Sequence, residues 1–216
     1  MATAITRLVC THTVEGRQNL PTGGPYILAA NHLGMLDAPL FYSEFGGPHI
    51  AAWVAEKWER HWILGPFMRA ANGIFIQRGE VDRAALDAAV AWLRSGRVFG
   101  MAPEGTRSRT HQLNRGKSGV VYLAQQAGVP IVPAAFINTE DALPALLRLH
   151  RKHALLRIGE PFRLPPLDPA RRSESTRQQA DEVMCRIALL LPERYRGAYA
   201  DHPRLQSLLA SPPGDS

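Results

Sequence analysis

The chain has 216 residues, a length that fits one large domain and leaves little room for a second. Its hydrophobic content of 45% is sufficient for a globular core, and its net charge of +6 suits an anionic partner, either nucleic acid or an anionic lipid surface. Two cysteines, a polar amino terminus and the lack of any run of about 20 apolar residues argue against the disulfide-rich secreted class and the membrane-spanning class.

Short apolar runs that predict strands alternate with segments whose apolar residues recur at helical spacing. We predict strands at residues 7–15, 26–30, 49–54, 73–77, 97–102, 129–137 and 154–158. We predict helices at residues 36–42, 56–71, 81–95, 117–127 and 173–191. This alternation is typical of an α/β fold, here a single layered domain over residues 1–209 whose mixed or mostly parallel sheet is flanked by helices. We expect residues 210–216 to be a disordered tail.

Polar clusters directly follow three of the predicted strands. Asn31 and His32 follow the second strand, Arg78 follows the fourth, and residues 104–107 follow the fifth. Because the carboxyl ends of parallel strands lie at one edge of a sheet, where α/β proteins bind their ligands, we expect these clusters to meet.

The first cluster has the residue types of a general base and its orienting acid. A histidine ionises near neutral pH, and it needs an acceptor on its other ring nitrogen to fix the tautomer and to stabilise the imidazolium. Asp37 follows His32 by five residues and can fold back to the ring from the first turn of a helix. No serine or cysteine nucleophile stands beside the pair, which indicates direct deprotonation of a substrate hydroxyl. The alternative is a buried structural histidine with an aspartate that caps the next helix.

The second and third clusters have the residue types of an anion site. Arg78 ends a buried strand. In the third cluster Gly105 permits close backbone approach, Thr106 offers a hydroxyl, and Arg107 offers a guanidinium that binds phosphate bidentately. Lys117 stands at the predicted start of a helix, an end that attracts anions. Each cluster alone is also explained by a solvated strand end or by a polar turn with surface arginines.

Taken in order, the clusters resemble the motifs of the glycerolipid acyltransferase family, in particular the bacterial 1-acylglycerol-3-phosphate acyltransferases. That family has an Asn-His box with an Asp five residues after the His, a box with Gly before Phe-Ile-x-Arg, a Pro-Glu-Gly-Thr-Arg-Ser box and a Val-Pro-Ile-Val-Pro box. This chain has them at residues 31–37, 73–78, 103–108 and 129–133, and the resemblance runs from about residue 16 to about residue 164.

The resemblance implies a glycerol-3-phosphate acyltransferase-like fold and a role for each motif. His32 would take the proton from the acceptor hydroxyl, with Asp37 behind it. Pro133, with Val132 beside it, would belong to the wall of the acyl-donor site. The glycerol phosphate would be held by Arg78, Glu104, Gly105 and Arg107. To this group we add Thr106 and Lys117. The donor would be acyl-CoA or acyl carrier protein, the acceptor lysophosphatidic acid and the product phosphatidic acid, with no metal or cofactor required.

The sequence departs from the family at three points. Leu33 and Gly34 stand where Gln-Ser often follows the His, and Gln77 stands where an acidic residue is common before the Arg, which weakens the choice of acceptor. An amino-terminal transmembrane helix, which many members have, is missing. We therefore expect a cytoplasmic protein that binds the inner face of the cell membrane reversibly, through residues 58–68 or through the basic stretch 146–152.

Three alternatives stay open. The first is an acyltransferase whose acceptor is another lysolipid or a molecule without phosphate. The second is a catalytically silent lipid-binding protein of the same fold. The intact pair of His32 and Asp37 speaks against the second, since a binding protein has no need of an oriented base. The third, a nucleic-acid binder, rests on charge alone, because no helix-turn-helix, RNA-binding or zinc pattern is present, and we expect no nucleic-acid partner.

Overall fold

The secondary structure is known for residues 10–77, 79, 81–140 and 152–211, which the computed structural model describes. The strands of this part are β1 Cys10–Glu15, β2 Ile27–Ala30, β3 Ile50–Ala55, β4 Gly73–Ile76, β5 Val98–Met101, β6 Ile131–Ile137 and β7 Lys152–Ile158. They form one sheet in the order β1-β7-β6-β2-β5-β3-β4. The neighbours from β6 to β4 are parallel, whereas β7 is antiparallel to β6 and pairs in parallel with β1. The predicted mixed, mostly parallel sheet is confirmed.

Helices cover both faces of the sheet. In the described part they are α1 Asp37–Phe45, α2 Leu64–Ala70, α3 Arg83–Arg94, α4 Gly119–Ala127, α5 Arg172–Leu190 and α6 Pro203–Ala210. Short 3₁₀ turns lie at Arg17–Asn19, Glu56–Trp58, Glu193–Tyr195 and Gly197–Tyr199. The apolar sides of α3, α4 and α5 share one core with the sheet, and α1 shares a second core with the opposite face.

The central strand β2 shows how this layering positions the first polar cluster. Ile27 and Ala29 pack in the core beneath α3, α4 and α5, whereas Leu28 and Ala30 pack in the core beneath α1. All four are at most 6% exposed, because a parallel strand between two helix layers is buried on both faces. The polar residues that follow, starting with Asn31, therefore come at the edge of the sheet.

Every predicted strand is present within two residues of its expected ends, residues 7–9 lying outside the described part. The single helix predicted at 56–71 is wrong, since the chain forms a 3₁₀ turn at Glu56–Trp58 and begins α2 only at Leu64. Pro66 explains the break, because proline has no N–H to bond the carbonyl four residues earlier and is tolerated only in the first helical turn. The Nδ1 atom of His61 accepts from the Leu64 N–H at 3.2 Å and satisfies one free donor at the start of α2.

The prediction from sequence did not include α6. Pro203 opens this helix, and the ring of His202 accepts from the Arg204 N–H at 3.2 Å. Of the expected tail, Ala210 ends α6 and residues 212–216 lie outside the described part, as do residues 146–151 of the basic stretch. None of the described helices is both long and apolar enough to cross a bilayer.

Candidate active site

A cavity of about 580 Å³ lies at the carboxyl ends of β2, β4 and β5. His32 of the first cluster and Gly105 of the third line it, and so does Gln77, which directly precedes Arg78 of the second. The clusters therefore meet at one edge, as expected from the parallel order of these strands. Arg78 lies outside the described residues, while its neighbours Gln77 and Gly79 line the cavity.

His32 and Asp37 form a close pair at this edge. Nδ1 of His32 lies 2.6 Å from Oδ2 of Asp37, and the two side chains are 26% and 4% exposed. Because an ionised carboxylate can only accept, Nδ1 carries the proton of the neutral ring and Nε2 is left as the acceptor. The arrangement is that of a general base with a fixed tautomer.

Backbone groups hold the carboxylate in place. Oδ2 of Asp37 also accepts from the N–H groups of Leu33 at 2.7 Å and Gly34 at 2.9 Å. These donors are backbone atoms, so the departure from Gln-Ser at these two positions leaves the contacts intact. Gly34 is also required sterically, because a Cβ at this position would lie 2.6 Å from the carbonyl oxygen of Thr139.

The backbone of the base is fixed from two sides. The N–H of His32 donates to Oε1 of Glu104 at 3.1 Å, and the N–H of Ser108 donates to the His32 carbonyl at 2.9 Å. On the other side, the side-chain NH₂ of Asn31 donates to the Phe136 carbonyl at 2.9 Å, and its Oδ1 accepts from the Phe136 N–H at 2.7 Å. Asn31 thereby extends the pairing of β2 with β6 beyond the end of the strand.

Glu104 is a buried brace in the structure. It is 2% exposed, and its Oε2 accepts from both the backbone N–H and the side-chain amide of Asn114, each at 2.8 Å. Burial raises the pKa of Glu104, and the hydrogen bonds from Asn114 and His32 oppose this shift. The side chain does not line the cavity. The phosphate contact that the resemblance implies for Glu104 stays a prediction.

Gly105 and Lys117 form a cradle at the cavity mouth, together with Thr106. Gly105 has φ +68°, and a Cβ there would lie 3.0 Å from both Cδ and Nζ of Lys117. The Lys117 side chain therefore lies over the Gly105 backbone, and both residues line the cavity with Thr106. Gly119, the first residue of α4, also lines it. An ammonium, a hydroxyl and a helix amino terminus together suit an anion.

The remaining predicted site residues that the structure describes do not line the cavity. Arg107 is exposed and does not line it. Val132 and Pro133 are buried in β6 and do not line it either. Val132 shares a face with Phe136 but precedes it by four residues, toward the amino end of the strand and away from the cavity. Pro133 packs near Gly159, since a Cβ at Gly159 would lie 3.0 Å from Cγ of Pro133.

Other apolar residues, which the sequence prediction missed, form the inner part of the cavity. They include Leu28, Phe41, Tyr42 and Phe136. Gly100 makes room for one of them, because a Cβ there would lie 2.1 Å from Cζ of Phe41. The Tyr42 hydroxyl is buried without a hydrogen-bond partner among the described residues, and burial raises its pKa to about 12. The alternation of faces along β2 was the available signal for Leu28.

No group of three or more His, Cys, Asp or Glu side chains that could hold a metal occurs within the described ranges. Besides His32 and its partner Asp37, the described charged side chains at the cavity are Asp82, Arg83 and Lys117. The site geometry therefore favours acid–base chemistry beside a bound anion.

The chain is similar in sequence to known proteins that share one description. A 1-acyl-sn-glycerol-3-phosphate acyltransferase of Borreliella burgdorferi is 29% identical over 135 residues, covering 59% of this chain and 52% of that protein. The enzyme of the same description from Saccharomyces cerevisiae is 30% identical over 179 residues, covering 79% of this chain and 58% of that protein. The chain thus spans little more than half the length of these relatives.

A solved structure also matches the fold. The crystal structure of the 1-acyl-sn-glycerophosphate (LPA) acyltransferase PlsC from Thermotoga maritima has a TM-score of 0.63 and 28% identity, over 84% of this chain and 74% of that chain. The family model described as Acyltransferase matches residues 11–137. That range contains the His32–Asp37 pair, the Glu104 brace and the Lys117 cradle, so sequence and geometry point to the same part of the molecule. The chain belongs to the acyltransferase family.

Proposed function

We propose that the protein transfers a fatty acyl chain from acyl-CoA or acyl carrier protein to the free hydroxyl of 1-acylglycerol-3-phosphate, which gives phosphatidic acid. The observation that carries the proposal is an oriented His32–Asp37 pair beside an anion cradle and an apolar cavity. The names of the relatives from Borreliella burgdorferi and Saccharomyces cerevisiae support the same acceptor.

In the proposed reaction His32 acts as general base. Its Nε2 takes the proton of the acceptor hydroxyl while the hydroxyl oxygen attacks the thioester carbonyl carbon. Asp37 stabilises the imidazolium that forms and stays ionised. When the tetrahedral intermediate collapses, the carbon–sulfur bond breaks, and the imidazolium returns its proton to the thiolate. The products are the ester and the free thiol, and His32 is neutral again.

The phosphate of the acceptor is proposed to lie against the cradle of Lys117, Gly105 and Thr106. The ammonium of Lys117 supplies charge, and the exposed amino terminus of α4 adds the positive end of the helix dipole. Arg78 and Arg107 complete the proposed set through charge-assisted hydrogen bonds. Glu104 contributes by holding the His32 backbone and the loop at Asn114.

The apolar inner part of the cavity is proposed to hold an acyl chain. Phe41 and Phe136 give it a wall without charge, and it is continuous with the surface occupied by His32. Burial of methylene groups there is favourable by about 0.8 kcal/mol for each group that leaves water.

A membrane surface is proposed as the source of the acceptor. Trp62 and Ile63 are 82% and 54% exposed, and the exposed cation Arg60 lies beside them in sequence. Trp58 and Met68, from the same stretch of chain, line the cavity. A lipid headgroup held at this stretch would therefore be next to the cavity wall. We propose a peripheral position on the cytoplasmic face of the cell membrane.

One experiment tests the acceptor. Lysophospholipids that differ in headgroup are incubated with palmitoyl-CoA and the purified protein, and the products are identified by mass spectrometry. We expect acylation of lysophosphatidate, and none of monoacylglycerol, which lacks the phosphate. Preferred acylation of a different lysolipid would change the proposed acceptor but not the proposed acyl transfer reaction. If no lipid is acylated, the enzymatic role is contradicted.

A further inference from the structure

Residues 193–199, near the carboxyl terminus, contact the loop that precedes α4. Two backbone hydrogen bonds join them: the Leu113 N–H donates to the Tyr195 carbonyl at 2.9 Å, and the Ala198 N–H donates to the Leu113 carbonyl at 3.0 Å. Gly197 permits this approach, since its φ is +45° and a Cβ there would lie 2.5 Å from the Leu113 oxygen. The two segments therefore form one packed unit.

Tyr199 makes a further contact at the end of this loop. Its hydroxyl accepts from the Gly116 N–H at 3.0 Å and donates to Oδ1 of Asp181, on α5, at 2.8 Å. Tyr199 is 1% exposed, so water does not replace either bond. Gly116 directly precedes Lys117, the cation of the cradle.

The backbone around Gly116 has little freedom to move. A Cβ at Gly116 would lie 2.5 Å from Cγ of Met184, so the peptide packs directly on α5. The next N–H, that of Lys117, donates to the Pro103 carbonyl at 2.9 Å. The entry to α4 is thus held by the 103–108 loop on one side and by Tyr199 on the other.

We propose that Tyr199 is a positioning residue for acceptor binding, which places the Lys117 ammonium over Gly105 by holding the Gly116 peptide. The inference rests on the proposed function, because it takes Lys117 as a phosphate ligand. Tyr199 lies outside residues 11–137, the part matched by the family model. Without the Tyr199 hydroxyl, the N–H of the half-buried Gly116 loses its acceptor, and the loop shifts to satisfy it.

The test compares Tyr199→Phe with the unchanged protein in steady-state kinetics, using 1-oleoyl lysophosphatidate and oleoyl-CoA. We expect the KM for lysophosphatidate to rise about tenfold, the effect of losing one hydrogen bond at this half-buried N–H group. The KM for oleoyl-CoA and the slow hydrolysis of oleoyl-CoA without acceptor should not change. General destabilisation of the protein would instead lower the acyl transfer rate and the hydrolysis of oleoyl-CoA together. Tyr26→Phe, at a buried tyrosine beside the amino end of β2, is the matched control and should leave all of them unchanged.

Lys117→Ala, measured in parallel, tests the phosphate site separately from the positioning role of Tyr199. If it leaves the acceptor KM unchanged, the phosphate site fails and the role of Tyr199 fails with it. If Lys117→Ala raises that KM and a folded Tyr199→Phe does not, the positioning role alone is overturned. Should Tyr199→Phe fail to fold, Asp181→Ala removes the acceptor of the Tyr199 hydroxyl from a half-buried position, and the same selective rise is expected. An unchanged acceptor KM in that variant would overturn the positioning role.

Discussion

Asp37 uses one oxygen for three hydrogen bonds: Oδ2 accepts from the ring of His32 and from the N–H groups of Leu33 and Gly34. The carboxylate is therefore oriented by its own loop, whatever the state of the histidine. A ring held by such a carboxylate has one tautomer and does not need to reorient before it accepts a proton. The role of His32 as base is the most direct statement to test.

His32→Ala should lower kcat by about 10²–10⁴-fold, the contribution of general-base catalysis, without loss of fold. Asp37→Asn should also lower kcat, because the amide oxygen keeps the N–H groups of Leu33 and Gly34 but a neutral amide stabilises the imidazolium less than a carboxylate does. Steady-state turnover of lysophosphatidate and oleoyl-CoA, with circular dichroism as the check on folding, measures both. A folded His32→Ala variant that keeps more than about a tenth of the activity would exclude this base.

Glu104 gives a prediction about stability. Glu104→Gln replaces one acceptor oxygen by an amide donor, which must face the N–H of either His32 or Asn114. The unfolding free energy, from urea denaturation, should fall by about 1–3 kcal/mol. Glu59→Gln, at an exposed carboxylate, is the control and should change it by less than about 0.5 kcal/mol.

The pH dependence of this Glu104 effect has a definite sign. Burial raises the pKa of Glu104 in the folded state, so its contribution is fully present below the unfolded pKa and is lost as pH rises through the folded pKa. The difference in unfolding free energy between the natural protein and Glu104→Gln should therefore shrink as pH rises through that window. A difference that grows with pH would show that the folded pKa is not raised.

At the scale of elements, Asp82 connects α3 to the end of β4. Its Oδ1 accepts from the Ala85 N–H at 3.0 Å and caps the helix, and its Oδ2 accepts from the Gln77 N–H at 3.0 Å. Asp82→Ala should lower the unfolding free energy by about 1 kcal/mol and raise the KM for lysophosphatidate, because Gln77 precedes Arg78. Asp82→Asn keeps a side-chain acceptor and should cost less. If urea denaturation shows the same loss of unfolding free energy for Asp82→Ala and Asp82→Asn, the charge of Asp82, and not its cap, is important.

The elements differ in how well the sequence predicts them. Strands β2, β4 and β5 are short apolar runs followed by polar residues, so both their position and the meeting of the clusters were predictable. The break before α2 was not predictable from periodicity, because apolar residues recur at helical spacing on both sides of Pro66. Helix α6 was missed because a helix of 8 residues has only about two turns of helical spacing, which gives little signal.

The braces of the site were not predictable, because they join residues far apart in the chain. The Asn31 amide bonds Phe136, and the Tyr199 hydroxyl bonds Gly116. Each depends on which loops meet after folding, and a local pattern does not contain that information. For the same reason no local pattern in the sequence indicates that the Glu104 side chain is buried.

At the scale of the whole molecule, one segment has exposed apolar residues and also contributes side chains to the cavity wall. Trp62 and Ile63 lie between Trp58 and Met68, which both line the cavity wall. The core of the protein does not depend on the two exposed side chains, so their replacement separates membrane binding from folding. Phe67 is half-buried and is not suitable for this purpose.

The double substitution Trp62→Ser and Ile63→Ser should weaken sedimentation with anionic liposomes while leaving the melting temperature unchanged. Binding has two physical parts, and salt separates them. Attraction of Arg60 and other basic groups fades as salt rises, since the Debye length is about 8 Å at physiological ionic strength, whereas burial of the two apolar side chains persists. We therefore expect the natural protein to keep part of its binding in high salt and the variant to lose it. Leu209→Ser, at a 42% exposed leucine of α6, should bind as the natural protein does. A folded double variant that binds liposomes normally at all salt concentrations would exclude this segment as the membrane contact.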